Sequence, residues 1–145
     1  MRLTYHTDYA LRLIMMLAVE PGRLHTIGEI AERYDVSRNH MMKVSHTLVA
    51  AGFLDPVRGR NGGLRLKHPP EDINLGAVVR ATEDNFDLVE CFDAKKNKCV
   101  ISKECGLRGP LEQALKAFID TLDQYSLQDL ITSPGSYGEL RKLFG

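Results

Sequence analysis

Three cysteines, Cys91, Cys99 and Cys105, lie in one short polar stretch, with seven residues between the first two and five between the last two. The 145 residues contain no other cysteine. Thiolates bind soft metals and iron–sulfur clusters. The spacing disfavours the common structural zinc sites, which place two to four residues between paired cysteines. The stretch is therefore a candidate metal or cluster site, and unligated thiols remain the alternative.

The residues around these cysteines support a cluster more than they support catalysis. Basic side chains outnumber acidic ones, the basic set being Lys95, Lys96, Lys98, Lys103 and Arg108. This excess offsets the negative charge of a thiolate cluster. A cluster normally takes four protein ligands, so a fourth must come from Asp, Glu, His or another chain. A catalytic cysteine is disfavoured because no nucleophile motif is present and no histidine stands nearby in the sequence.

The first half of the chain contains a helix-turn-helix pattern. Residues 26–29 form a capping box that begins a short helix, and Asp35 and Val36 break it. Ser37 can cap a further helix that runs to Ala51. In a helix-turn-helix the second helix enters the major groove of DNA with its N-terminus first. The candidate DNA contacts on that helix are Ser37, Arg38, Asn39, His40 and Lys43. A capped surface helix that is merely solvated is the alternative.

A β-hairpin is predicted directly after this helix. Residues 53–57 and 64–66 read as strands, and the turn between them is rich in glycine. The tip carries Arg58, Arg60 and Asn61, which could contact phosphates or enter a minor groove. A nucleotide-binding loop is disfavoured because the glycines lack the required spacing and do not open a helix. The hairpin is therefore interpreted as the wing of a winged helix-turn-helix.

Further helices are predicted on either side of the cysteines. A first helix spans residues 7–20 with Thr7 as its cap, and Asn74 caps another short helix. A long helix begins at Gly109 and Pro110, and Ser126 caps a final turn at 127–131. The long helix carries one broad apolar stripe: Leu111, Ala114, Leu115, Phe118, Ile119, Leu122 and Tyr125. A helix this long needs a cover, which could be the helix-turn-helix of the same chain or a second copy of the chain; the second copy is favoured.

These elements predict a mainly α fold with a small β-hairpin wing and a long dimerisation helix. The expected divisions are a DNA-binding domain at 1–83, a cysteine loop at 84–108, a dimerisation helix and final turn at 109–132, and a mobile tail at 133–145. The formal net charge is zero, but residues 1–70 carry +4 and residues 71–145 carry −4. A basic first half suits a protein that meets nucleic acid with one end. With no membrane span or signal peptide evident, we expect a cytoplasmic location and no membrane partner.

Several motifs together resemble one bacterial repressor family. They are MRLT at residues 1–4, TDYALR at 7–12, VSRNHMMKV at 36–44, VRGRNGGLRL at 57–66, the cysteine loop, and LQDL at 127–130. They resemble the iron–sulfur winged-helix repressors of the NsrR, IscR and RirA type, over roughly residues 1–131. The residues at 37–40 and 89–91 are most similar to the nitric-oxide-sensing branch.

The resemblance implies a homodimer that binds palindromic promoter DNA while it holds its cluster. It implies Cys91, Cys99 and Cys105 as ligands, with Asp8 of the partner subunit as the fourth. The cluster is expected to be a [4Fe–4S] rather than a [2Fe–2S] form. Nitric oxide would destroy the cluster. The two helix-turn-helix units would then shift relative to each other, and repression would end. An iron or cluster-supply sensor is the first alternative, and a cluster-carrying redox or interaction protein is the second.

Overall fold

The computed structural model describes residues 1–133 and 136–144. Within them are seven α-helices and one antiparallel hairpin. The helices are α1 Tyr5–Val19, α2 Ile27–Arg33, α3 Arg38–Ala50, α4 Leu75–Thr82, α5 Arg108–Leu122, α6 Leu127–Thr132 and α7 Ser136–Phe144; the strands are β1 Leu54–Val57 and β2 Gly63–Leu66. Short 3₁₀ turns occur at Pro70–Asp72 and Glu90–Phe92. The predicted class, mainly α with a small β-hairpin, is confirmed.

Helix α1 is the centre of the core. Its inner face is fully buried and packs against α3, α4 and α6. The prediction that Thr7 caps this helix is wrong, because Thr4 is the cap. The Thr4 hydroxyl accepts a hydrogen bond from the Thr7 amide at 3.3 Å. Thr7 itself is completely buried, so its hydroxyl lies inside the first turn of the helix.

The helix-turn-helix forms as predicted. Glu29 and Thr26 cap α2 reciprocally, with the Thr26 amide 2.7 Å from the Glu29 carboxylate and the Glu29 amide 3.2 Å from the Thr26 hydroxyl. After α2 the chain reverses at Asp35, whose φ of 51° is in the left-handed region that aspartate tolerates. Ser37 then caps α3 by accepting from the His40 amide at 3.1 Å. The inner face of α3 buries Met41, Val44, Ser45 and Leu48.

The wing is joined to the body by a bridge that the sequence did not indicate. The His25 and Leu64 backbones exchange hydrogen bonds, at 2.8 Å and 3.3 Å, beside the paired strands. Gly63 makes this approach possible, because a Cβ there would lie 2.8 Å from the His25 carbonyl oxygen. The strands pair with Leu54 opposite Leu66 and Val57 opposite Gly63. The hairpin is therefore anchored to the loop between α1 and α2.

The C-terminal half closes back onto α1. Asn74 caps α4 as predicted, and a capping box between Ser126 and Asp129 begins α6. The expectation of a mobile tail is replaced by a helix: α7 packs against α1 and α6, and Leu140 contacts the core. Helix α7 has only nine residues, which is too short for a clear apolar pattern. Pro134 and Gly135 before it favoured a break in the regular structure. These two residues lie outside the described part of the chain.

Candidate metal centre and nucleic-acid interface

The predicted DNA contacts on α3 occupy its exposed side. Arg38, Asn39 and Lys43 are exposed, and so is the capping Ser37. Neither Arg38 nor Lys43 forms an ion pair with another described residue, so both charges face solvent. The α3 surface continues with His46 and with Met42, which is 39% exposed although it is apolar. This face can meet the edges of base pairs, where Arg pairs with guanine and Asn with adenine.

His40 is placed differently from its neighbours. Its ring is half-buried and stands edge-on to Tyr9, with ring centroids 5.0 Å apart. The His6 ring stacks on the His40 ring, with ring centroids 6.3 Å apart. The His6 Nε2 is 3.0 Å from the Thr47 hydroxyl, which adds a second link between α1 and α3. His40 therefore contacts α1. The contact between His40 and DNA stays a prediction.

The wing tip presents the other predicted contacts. Arg58, Arg60 and Asn61 are exposed, and neither arginine forms an ion pair within the described residues. Arg65, one strand away, is instead paired with Asp55 at 2.7 Å. Gly59 turns the tip with a φ of 118°, a conformation open mainly to glycine. The two unpaired arginines are thus the wing residues free to meet phosphates.

The three cysteines line one small cavity. It has a volume of about 220 Å³, and its walls also include Val89, Glu90, Ile101, Leu107, Arg108 and Leu111. All three thiols are free and half-buried. The prediction that residues 91, 99 and 105 form one site is a hypothesis that this shared cavity supports. That the three cysteines share one cavity does not follow from their spacing alone, because a polar loop of this length has many conformations.

Local hydrogen bonds hold the cysteine stretch. The Cys99 amide donates to the Asn97 side chain at 3.0 Å, and the Lys98 amide donates to the Glu90 carboxylate. The Lys95 amide donates to Asp93 at 2.9 Å, and this bond lowers the pKa of the Asp93 carboxyl. Such turns satisfy the backbone of a segment that has almost no regular structure.

A positive charge stands beside the cavity. Arg108 begins α5 and donates to Glu112 at 2.7 Å, a bond that raises the pKa of Arg108. The negative charge of the Cys91 thiolate adds to that rise. Sequence reasoning counted Arg108 in the local charge but did not place it against the cysteines.

Asp8 does not line the cysteine cavity of its own chain. It lies on the first turn of α1, where both carboxylate oxygens contact Arg12, at 2.6 Å and 3.0 Å. The two side chains keep 39% and 45% of their exposure. The pair has the i, i+4 spacing that brings two side chains together on one face of a helix, a signal that the sequence itself carries. A ligand role for Asp8 thus requires the cavity of another copy.

The residues fit a cluster better than a single ion. Among the described residues, no three histidine, cysteine or carboxylate side chains approach closely enough to hold one metal ion. Three thiols around one cavity, flanked by Arg108, still suit a larger anionic group that spans several atoms. The donor set is soft and matches iron–sulfur chemistry rather than magnesium or calcium.

The comparisons with known proteins decide the family. The model described as "Rrf2: Iron-dependent Transcriptional regulator" matches residues 3–133. The chain belongs to the Rrf2 family. It is a DNA-binding transcriptional regulator with a winged helix-turn-helix, as the sequence predicted, and it is not an enzyme.

Individual Rrf2 relatives cover nearly all of the chain. The HTH-type transcriptional regulator NsrR of Bacillus subtilis is 51% identical over 144 residues, which span 99% of both chains. The protein of the same name from Halalkalibacterium halodurans is 45% identical over 144 residues, again 99% of both. A crystal structure of a regulator from Listeria innocua aligns with a TM-score of 0.71 at 28% identity, over 92% of this chain and 88% of that one. The predicted resemblance to NsrR-type regulators is confirmed. Within the described residues of this Rrf2 protein, no helix has both the length and the apolarity needed to cross a membrane.

Proposed function

We propose that this Rrf2 regulator is a cytoplasmic repressor whose iron–sulfur cluster senses nitric oxide. The observation that carries the proposal is the convergence of all three thiols on one cavity beside Arg108. The similarity to NsrR regulators over the whole chain supports nitric oxide as the signal. A reducing cytoplasm would keep the three cysteines free of disulfides and so available as ligands.

Cys91, Cys99 and Cys105 would hold the cluster, and Asp8 of a second copy would complete the set. A [4Fe–4S] cluster is favoured over a [2Fe–2S] cluster. When bound, the cluster supplies an iron with which nitric oxide reacts, most readily where the ligand is an exchangeable carboxylate. The chain's own part is to anchor residues 84–108 and, through Asp8, to hold the partner's α1. Loss of both anchors would let the two helix-turn-helix units of the dimer shift relative to each other.

The operator would be palindromic and the regulator a homodimer. In α5 every residue keeps some exposure, including the apolar Leu115, Phe118 and Ile119. An amphipathic helix with an uncovered stripe requires a cover, and a second α5 is self-complementary across a twofold axis. We therefore assign DNA reading to 1–83, the cluster to 84–108, and dimerisation to 109–132. Ser37, Arg38, Asn39, His40 and Lys43, with the wing residues Arg58, Arg60 and Asn61, would contact each half-site.

The test uses protein purified without oxygen and the palindromic duplex recovered from a random-sequence selection. Nitric oxide is titrated while visible absorbance and duplex binding are recorded together. We expect the iron–sulfur absorbance and the binding to fall over the same range of nitric oxide. A Cys99→Ser protein, which lacks a full set of ligands, serves as control and should not respond. Unchanged duplex binding after the absorbance has gone would refute the proposal.

The family description favours a second candidate signal. Because that description is iron-dependent regulation, the same cluster could report iron or cluster supply. If the signal is iron, chelation of iron would release the duplex in the absence of nitric oxide. Comparison of chelator and nitric oxide in cells that carry a reporter distinguishes the two signals. Release only by nitric oxide favours our first proposal.

A further inference from the structure

Met42 is an exposed apolar side chain on the surface of α3 that is assigned to DNA. It is 39% exposed, and within residues 26–66, all of which the structure describes, every other large apolar side chain is at least partly buried. A single exposed apolar residue is common on protein surfaces and needs no special cause. The position of Met42 among the polar residues of α3 is what distinguishes it.

The exposed residues of α3 follow one another at the spacing of a helical turn. Arg38 lies four residues before Met42 and His46 lies four residues after it, and residues four apart are neighbours on one face of a helix. At roughly 3.6 residues per turn, Met42 falls between Arg38 and Asn39 around the helix, about 40° from the first and about 60° from the second. The buried Ser45 hydroxyl donates to the Met42 carbonyl at 2.9 Å, which ties the backbone of this turn to the inner side of α3. The thioether of Met42 therefore lies within the face that carries the candidate base contacts.

The methyl group on C5 of thymine is the apolar group that the major groove offers to such a side chain. The other groups on the base edges are hydrogen-bond donors and acceptors, and a thioether is only a weak acceptor. Methionine is flexible and polarisable, so its side chain can adapt to the position of a methyl group. Burial of Met42 against a polar base edge would instead leave donors or acceptors without partners, which costs affinity.

We infer that Met42 is a specificity-determining residue that recognises a thymine by contact with its methyl group. The inference rests on the proposed function, in which α3 contacts each half-site. Asn39 would pair with an adenine there, and Met42 lies three residues further along α3, a distance of about 4.5 Å along the helix axis. One base-pair step is about 3.4 Å, so the thymine lies within about two base pairs of that adenine.

The experiment replaces thymine by uracil at one position of the half-site at a time, symmetrically in both half-sites. This exchange removes the methyl group and keeps base pairing and every hydrogen-bonding group of the base. Dissociation constants are measured at one salt concentration, with protein purified without oxygen and the duplex recovered from the random-sequence selection. For the wild type we expect one position at which uracil weakens binding roughly fourfold for each half-site, the value of one buried methyl group.

Three variants test whether Met42 makes the contact with that methyl group. Met42→Ala should bind the thymine and uracil duplexes within about twofold of each other, because a removed contact no longer depends on the methyl group. Met42→Leu keeps an apolar side chain and should keep the preference for thymine. Lys43→Ala is the matched control, because it removes the neighbouring exposed side chain; it should weaken binding to both duplexes and keep the wild-type ratio. Alanine and leucine both favour a helix, and the melting temperature is recorded for each variant.

Two results would overturn the contact. In the first, no thymine of the half-site shows an effect of its methyl group on the wild type, or the effect is equal in wild type and Met42→Ala. In the second, sedimentation shows that Met42→Ala changes the mass of the assembly, which would assign Met42 to a contact between copies of the chain.

Arg38→Ala in the same assay separates the inference from the proposed function. If Arg38→Ala leaves duplex binding unchanged, α3 does not contact the half-site, and the proposed role of α3 fails together with the inference. If Arg38→Ala weakens binding while uracil has no effect at any position, the role of α3 stands and the methyl contact alone is overturned. The response of duplex binding to nitric oxide does not depend on either result.

Discussion

Thr4 and Glu83 join the start of α1 to the segment that leads into the cysteines. The Thr4 amide and hydroxyl both donate to one oxygen of Glu83, at 2.7 Å and 3.0 Å. Glu83 is the residue that ends α4, and its negative charge lies at the N-terminus of α1, where the helix dipole favours it. The segment 84–108 thus directly follows a side chain that is bonded to the N-terminus of α1 in the same chain.

We predict that Glu83→Ala lowers the free energy of unfolding by about 1 kcal/mol, the usual net value of such hydrogen bonds near solvent. Urea unfolding of the cluster-free protein measures it. Glu71→Ala is the matched control, because Glu71 is exposed and its side chain has no hydrogen bond or ion pair within the described residues. Equal effects of the two changes would contradict the role given to Glu83.

The wing arginines give a second prediction, which compares two residues of one hairpin. Arg60→Ala should weaken duplex binding and reduce the dependence on salt by about one counterion, because a phosphate contact is lost. Arg65→Ala removes the same charge, but Arg65 is already paired with Asp55, so its effect should be smaller. Binding measured at several salt concentrations checks both. A larger loss with Arg65→Ala would exclude the wing tip as the contact.

His25 gives a prediction about pH. Its ring is fully buried, and Nε2 lies 3.0 Å from a Glu20 oxygen, although neither ring nitrogen has a hydrogen bond of good geometry. Burial lowers the pKa of His25 in spite of the charges of Glu20 and Glu29, and Arg23 and Arg33 act in the same direction as burial. Because the ring binds its proton less readily when the protein is folded, protonation favours the unfolded chain.

The stability contributed by neutral His25 is therefore present above pH 6.5, the ordinary pKa, and is lost as the pH falls below it. We expect wild-type protein to lose more stability between pH 7 and about 5.5 than His25→Gln does. Urea unfolding at each pH measures this, with His46→Gln, at an exposed site on α3, as control. A residual loss is expected from His6, whose pKa burial also lowers. Identical slopes for wild type and His25→Gln would contradict the prediction.

Local signals made much of the fold predictable. The Thr26–Glu29 capping box, the Ser37 cap and the Asn74 cap all lie where sequence rules placed them, because each depends on neighbours three residues away. Thr4 caps α1 in place of the predicted Thr7; a threonine at either position can cap a helix, and only the folded structure, in which Thr7 is buried, separates the two. Helix α7 was missed because its packing against α1 is a tertiary contact.

The candidate site was less predictable than the fold. The cysteine spacing indicated a ligand set, but only the folded loop brings Arg108 and Leu111 to the same cavity. His40 is predicted as a DNA contact because it lies at the N-terminal end of α3; the packing of its ring on Tyr9 is a tertiary contact that the sequence does not show. The His25 bridge to Leu64 depends on two backbones meeting across the fold, which no local pattern encodes.

The α5 stripe gives a fourth prediction. Leu115→Glu places a charge in the middle of the surface that we assign to the second copy, and burial of an unpaired charge is costly. We expect the protein to become monomeric and to bind the palindromic duplex at least about tenfold more weakly. Sedimentation analysis measures the mass. Gln113→Glu introduces the same residue on the exposed side of α5 and should leave the dimer intact; a monomeric Gln113→Glu protein would contradict this assignment.

The most direct measurement is the iron and acid-labile sulfide content per chain after purification without oxygen, for wild type and for Cys91→Ser, Cys99→Ser and Cys105→Ser. Because all three thiols share one cavity, the account predicts that the wild type holds a cluster. Iron and sulfide should then be present in equal amounts, as in both the [4Fe–4S] and the [2Fe–2S] form. It predicts a marked loss of both in every variant. A wild type without iron and sulfide, or variants that keep the wild-type content, would contradict it.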